Sequence, residues 1–392
     1  MDPISNPFAP GAGSRPPELA GRGKVIDAAT IALKRAILGK HDKSQILLGL
    51  RGTGKTVLLN RIEDLADECG HLTSYIEAPE DNGLAELLYP KIHQVVRKLS
   101  LVESAKSASH SLAKALRSFA SAFKIDYGDF SVSVDAEPGV ADSGNLEIDV
   151  TDLFLMVGRA AKAAQKGWTI LIDELQYLNK DELSALIVAL HRVSQKDLPV
   201  KLFGAGLPQI AALSGNAKSY AERLFDYPPI GALSEESATA AIREPIVGGG
   251  ESISDEALQQ IVHTTKGYPY FLQEWGYQSW NAAQQSPISA NDVKFATEGA
   301  IQRLDDGFFR VRFDRLTRKE REYVMAMAEL GSGPYRSSDV ADQLQLDLQQ
   351  LGPRRAQIIK KGMIFSPSHG DVDFTVPMFD EYLLRLKRSS SA

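Results

Sequence analysis

Apolar positions along the chain alternate between two patterns. Short solid runs, Ile46-Leu47-Leu48, Leu72 to Glu77, Trp168 to Ile172 and Pro199 to Ala205, read as buried strands. Between them apolar residues recur every three to four positions, predicting helices over 24–39, from Val57 to a left-handed cap at Gly70, from Leu84 to about Ala122, over 152–165 and over 181–195. Strands alternating with helices predict an α/β fold with a parallel sheet flanked by helices. Residues 123–135 alternate apolar and polar, the signal of a hairpin, and an acidic, glycine-containing loop follows to Asp149. Segment 100–149 therefore reads as an insertion in a core spanning 24–232, with an extended Pro/Gly/Ser-rich arm over 1–23.

From Leu233 to Asp305 the pattern is helical throughout, with Ser234, Ser254 and Ser289 as N-caps, which predicts an all-α lid over 233–308. A third module follows over 309–388. Thr317-Arg318-Lys319-Glu320 opens one helix as a capping box, Ser338 caps a second, and Pro353 begins a third that stops at Gly362. Met363-Ile364-Phe365 and Val372 to Val376 complete a two-stranded wing. Three helices and a hairpin form a winged helix-turn-helix, with Arg354, Arg355, Lys360 and Lys361 on its third helix placed to meet double-stranded DNA. The alternative is a winged helix that contacts protein, its Arg and Lys then merely solvated.

The chemistry concentrates at two strand ends. Gly49-Leu50-Arg51-Gly52-Thr53-Gly54-Lys55-Thr56 is the G-x-x-x-x-G-K-T phosphate loop, set between a strand and a helix. Gly49, Gly52, Thr53 and Gly54 let successive N–H groups turn toward phosphate at a helix N-terminus. Lys55 is expected on the β/γ-phosphates and Thr56 on Mg²⁺. The Trp168 strand ends in Asp173-Glu174. Asp173 suits the Mg²⁺ shell, and Glu174 suits a general base that orients water. The pair favours ATP hydrolysis to ADP over binding alone and argues against a Ras-type GTPase.

Composition narrows the setting. A chain with 43% apolar and 24% charged residues can bury one large core and smaller ones. No run of about 18 apolar residues crosses a membrane, and Met1 to Pro7 lacks a signal pattern, so a cytoplasmic location is expected. One cysteine, Cys69, excludes an internal disulfide and a Cys-based zinc site. The net charge of −6 does not advertise nucleic acid, but Arg310 to Ala392 carries 14 Lys and Arg against 11 Asp and Glu, leaving the remainder at −9.

Together these pieces resemble the AAA+/STAND group of P-loop ATPases, most closely bacterial relatives of origin-recognition (ORC/CDC6-like) initiators. Narrower points of likeness are Glu18-Leu19-Ala20-Gly21-Arg22 and Ser219 to Phe225. The resemblance implies that Gly21 and Arg22 lie against adenine. It implies that Arg223 is an arginine finger acting in a homo-oligomer, the alternative being an ion pair with Glu222 or Asp226. Two departures matter. Tyr270 stands where initiators carry a phosphate-sensing Arg, and Gly267-x-Pro269 looks like the STAND lid motif whose Pro packs on nucleotide, or else a helix cap before a helix start. The strand ending Gly204-Ala205-Gly206 lacks the usual polar sensor. Both imply slow hydrolysis in a nucleotide-dependent switch. Loader, transposition-adaptor and defence roles fit a DNA-acting switch; the alternative is a signalling adaptor held inactive until a protein partner binds.

Overall fold

The computed structural model describes residues 1–11, 19–79, 83–125 and 139–390. The chain divides into two compact units, one of Arg22–Gly49 and Lys55–Ile230, the other of Met1–Gly21, Leu50–Gly54 and Gly231–Ala392.

The first unit is an α/β layer structure. Strands β1 (Ser44–Leu48), β2 (His71–Glu77), β3 (Gly167–Asp173), β4 (Val200–Gly206) and β5 (Phe225–Asp226) form a parallel sheet in the order β2-β3-β4-β1-β5. Helices α1 (Gly23–Ile37), α2 (Lys55–Glu68), α3 (Leu84–Ser100), α4 (Lys106–Ala122), α5 (Leu146–Ala163), α6 (Lys180–Gln195), α7 (Ile210–Ala217) and α8 (Ala221–Leu224) accompany it. Every residue of β3 and β4 is buried, as a sheet covered on both faces requires. The single helical stretch expected from Leu84 breaks into α3 and α4 at Leu101–Ala105. The acidic loop ends earlier than Asp149: Asn145 caps α5, and Asp149, fully buried, accepts from the Ser143 and Gly144 amides. Most of the expected 123–135 hairpin lies outside the described residues.

His71 shows how tightly the sheet is fitted. Its Nε2 meets the Leu33 carbonyl at 3.0 Å and its Nδ1 meets Thr169 Oγ1 at 2.9 Å. The ring lies where a Cβ on Gly167 would be, so only glycine fits there. Burial, with the Lys201 ammonium adding to it, pulls the imidazole down to about 4.

The second unit is mainly helical: α9 (Glu235–Gly248), α10 (Asp255–Thr265), α11 (Pro269–Ala282) and α12 (Ala290–Arg303), then a π-helical turn (Leu304–Phe309) and α13 (Arg310–Asp314). Ser234, Ser254 and Ser289 cap α9, α10 and α12. The N-terminal arm is not simply extended. Pro3–Ser5 makes a 3₁₀ turn, the Phe8 ring covers Gly276 of α11, and Trp280 Nε1 donates to the Asp2 carbonyl. One buried apolar cluster runs from Phe8 through Phe271 and Phe309 to Leu383.

Helices α14 (Arg318–Glu329), α15 (Ser337–Leu344), α16 (Leu348–Lys360) and α17 (Phe379–Ser390) accompany β6 (Tyr335–Arg336), β7 (Ile364–Phe365) and β8 (Asp371–Phe374). The capping box at Thr317 is present. Three details differ from expectation. Arg336, not Ser338, holds the N-cap position of α15. Helix α16 starts at Leu348, so Pro353 lies inside it. The expected two-stranded wing gains β6, giving an antiparallel sheet in the order β6-β8-β7.

Candidate nucleotide site

Strand β1 delivers the phosphate loop to the carboxyl edge of the sheet, where Gly49 N–H donates to the Gly206 carbonyl at 3.0 Å. Lys55, only 7% exposed, starts α2. Next to it Thr56 Oγ1 donates to Asp173 Oδ2 at 2.6 Å, so residues 117 apart in sequence meet where the first turn of α2 faces the tip of β3. Asp173 also accepts from the Glu174 amide at 2.8 Å and from the Tyr75 hydroxyl at 3.4 Å. Burial and the adjacent Asp173 carboxylate push the Tyr75 phenol well above its ordinary value, so it stays a donor.

Glu174 adopts left-handed backbone, φ +55°, rare for a residue with a Cβ and held here by the turn after β3. Gln176 Nε2 donates to its carboxylate, while Gln176 Oε1 accepts from Leu207 N at 3.2 Å. Gln176 thus ties Glu174 to the end of β4, where the sequence offers no polar residue. A Cβ on Gly206 would lie 3.1 Å from Gln176 Oε1 and 2.9 Å from Ile210, which explains the glycine. Sequence reasoning missed Tyr75 and Gln176. A phenol inside a strand and an amide in a turn give no signal until the register places them beside the two carboxylates.

Within the second unit, Leu50–Gly54 is held from the α11 side. Gly52 and Gly54 have φ of +81° and +89°, as the loop needs. Thr53 Oγ1 donates to the Leu50 carbonyl at 2.9 Å, the Tyr268 hydroxyl donates to the Arg51 carbonyl, and Tyr270 N donates to the Gly52 carbonyl at 3.2 Å. Tyr268 is the N-cap of α11 and Pro269 its first residue, while Gly267 has φ +67°, so the cap-and-start reading of Gly267-x-Pro269 describes its geometry. Tyr270 stacks on Phe308 at 4.6 Å, and the Arg312 guanidinium lies 3.7 Å over Phe308. Burial, then repulsion from Arg51, brings Arg312 down to about 10. Tyr270 and Arg312 therefore share the Phe308 ring.

The remaining candidates are scattered. Gly21, φ +70°, closes on Ser237, whose Oγ would be 2.9 Å from a Cβ. Arg22 is at the N-cap of α1, its basicity lowered by burial. Arg223 is exposed on α8 near His191 and Tyr220. Among the described residues neither expected ion pair forms: Asp226 is taken by Lys43 at 3.2 Å. Three of the four cations expected on DNA are engaged internally. Arg354 approaches Glu322 at 4.0 Å, Arg355 donates to Ser366 Oγ at 2.9 Å and to the Asp371 carbonyl at 3.1 Å, and Lys361 pairs with Glu320 at 2.6 Å. Lys360 alone of the four is exposed.

Comparison with known proteins fits this picture. Residues 18–203 match the model of the AAA ATPase domain, and residues 306–383 match a domain of unknown function, DUF8462. The phosphate loop and Asp173 both lie within the stretch similar to that ATPase domain. A search of curated proteins finds no match. Among solved structures, the Walker-type ATPase PABY2304 of Pyrococcus abyssi aligns with a TM-score of 0.57 and 14% identity, over 94% of this chain and 97% of its own. Cdc6p from Pyrobaculum aerophilum aligns at 0.48 and 14%, over 100% and 99% of the two chains. Orc1 of Aeropyrum pernix, solved in complex with DNA, aligns at 0.45 and 14%, over 96% and 95%. No helix among the described residues is long and apolar enough to cross a membrane.

Proposed function

We propose that this chain is a nucleotide-dependent switch that binds Mg-ATP and hydrolyses it slowly. The observation that carries the reading is the 2.6 Å contact of Thr56 with Asp173 beside buried Lys55. A hydroxyl and a carboxylate are hard oxygen donors, and no cluster of three metal-ligating side chains exists among the described residues. That donor set fits Mg²⁺, which takes one or two protein oxygens and completes its shell with phosphates and water. The ion would supply charge neutralisation on the phosphates. Lys55 and the loop amides of Gly49, Gly52, Thr53 and Gly54 bind and orient the phosphates. Glu174 takes the proton of the attacking water, with Gln176 fixing its carboxylate. Gly21, Arg22 and Pro269 are the adenine-side candidates, and Arg223, exposed and with no acidic partner among the described residues, remains the candidate finger of a homo-oligomer.

The test is equilibrium binding and turnover. Lys55→Ala should abolish tight ATP binding. If the parent fails to bind ATP or ADP with Mg²⁺, the reading falls.

In this proposal the α14–α17 module is a winged helix that puts the switch to work on double-stranded DNA. The internal pairing of Arg354, Arg355 and Lys361 favours a second reading, a signalling adaptor whose module contacts protein. Gel shifts at low salt with ATP and with ADP decide: no shift leaves the adaptor.

A further inference from the structure

The phosphate loop is gripped by two elements far from it in sequence. One is the start of α11, through the bonds of Tyr268 and Tyr270 to the Arg51 and Gly52 carbonyls. A Cβ on Gly52 would lie 3.1 Å from Tyr268 Cε1 and 3.2 Å from Tyr270 Cβ, so the loop backbone touches α11 directly. Tyr268 is 4% exposed, and burial pushes its phenol well above the ordinary value, so it stays a donor.

The other element is the C-terminal module. Gly362 is buried and follows α16 with φ +64°. A Cβ there would lie 2.7 Å from Arg51 Nη2, 3.0 Å from Nε and 3.1 Å from Cζ. The guanidinium of a phosphate-loop residue thus rests on the Gly362 backbone and fills the space a side chain would take. The seat is firm. Gly362 N donates to the Ile359 carbonyl at 2.8 Å, and its own carbonyl accepts from Thr375 Oγ1 at 2.7 Å. The neighbouring Lys361 Nζ donates to Glu320 at 2.6 Å and to the Arg315 carbonyl at 2.9 Å. The end of α16 is therefore fixed to α14 and to the segment after β8. Arg312 adds a second cation, brought down to about 10 by burial and then by the Arg51 charge. A phosphate chain on the loop would offset that repulsion and so favour Arg51 in its seat.

We propose that Gly362 is a positioning residue of the phosphate loop: it seats Arg51, and through that contact nucleotide on the loop and the end of α16 stabilise each other. The proposal rests on reading the loop as an ATP site, and it names the route from that site to the C-terminal module. Such coupling is reciprocal, so a partner that holds the end of α16 in place raises nucleotide affinity by the same factor.

Affinity for N-methylanthraniloyl-ATP with Mg²⁺ is measured by anisotropy for the full chain, Gly362→Ala, Arg51→Ala and the double variant. Gly362→Ala should weaken binding by about fivefold or more. The same replacement should change nothing in the Arg51→Ala background, where the contact is already gone. A glycine with only a structural role would give the same fold-change in both. A second measurement leaves Gly362 intact. Mg-ATP should slow hydrogen exchange of the amides of residues 357–363 in the parent but not in Arg51→Ala. The inference is overturned by unchanged or tighter binding in Gly362→Ala or by equal fold-changes in the two backgrounds. It is overturned too if ATP leaves exchange at 357–363 unaltered in the parent, or slows it equally without Arg51. If the parent does not bind Mg-ATP, the phosphate-loop reading falls and takes this inference with it; binding without coupling removes this inference alone.

Discussion

Acid should weaken the first unit through His71. The imidazole is neutral in the fold, with a pKa of about 4, because burial removes water from the charged form and Lys201 repels it. In the unfolded chain it returns to about 6.5. Between those values the unfolded state binds the extra proton, so stability falls as pH falls; above 6.5 His71 contributes no pH dependence. At about 1.4 kcal/mol per pH unit, linkage gives a loss of about 2 kcal/mol at pH 5 and about 3 kcal/mol at pH 4. Urea unfolding can be followed at buried Trp168, whose Nε1 donates to Ser74 on the same strand as His71. Both proteins compared would carry Trp275→Phe and Trp280→Phe, leaving Trp168 as the reporter. The parent should lose about 3 kcal/mol more than His71→Gln between pH 7 and pH 4, because carboxylate titration is common to both. Parallel pH profiles would refute the reasoning and place a charged imidazole in the fold.

Three other outcomes follow from named contacts. Glu174→Gln should keep ATP affinity and cut turnover by about 10² or more in a steady-state phosphate-release assay; turnover at the parent rate removes Glu174 as the base. Gly267→Ala would force φ +67° on a residue with a Cβ that overlaps the Leu233 carbonyl, so thermal unfolding should show a loss of at least about 2 kcal/mol, and a smaller loss means the turn can relax. If Arg223 acts in trans, specific ATPase activity should climb with protein concentration in the parent and stay low and flat in Arg223→Ala; equal, concentration-independent rates leave Arg223 a surface residue.

The parts legible in the sequence were those with a local cause. The phosphate loop announces itself because its conformation needs glycine at fixed spacing, and Asp173-Glu174 because apolar residues run straight into two carboxylates. Ser234, Ser254 and Ser289 were readable because capping acts within three residues. What escaped depends on distant partners. Pro353 looks like a helix start, yet α16 extends back to Leu348 because Leu351 packs in the apolar cluster of the second unit. Arg354, Arg355 and Lys361 look like a basic surface until Glu322, Ser366 and Glu320 arrive from other elements. Gln176 and Tyr75 become part of the site only through the register of β2, β3 and β4.

The order of the sheet also sets when the phosphate loop can exist during synthesis. Strand β1 ends at Leu48, and its hydrogen-bonded neighbours β4 and β5 begin at Val200 and Phe225. About 150 residues must be made before the first of them appears, which at roughly 5–20 residues per second takes about 8 to 30 s. Over that interval Ile46 and Leu47, both almost fully buried in the finished protein, have no strand to pair with. Pairing across such separations is slow even once the partner is available. The nascent chain therefore carries an exposed apolar strand through most of the translation of its core, a natural target for ribosome-associated chaperones, and nucleotide cannot assist folding until β4 is in place.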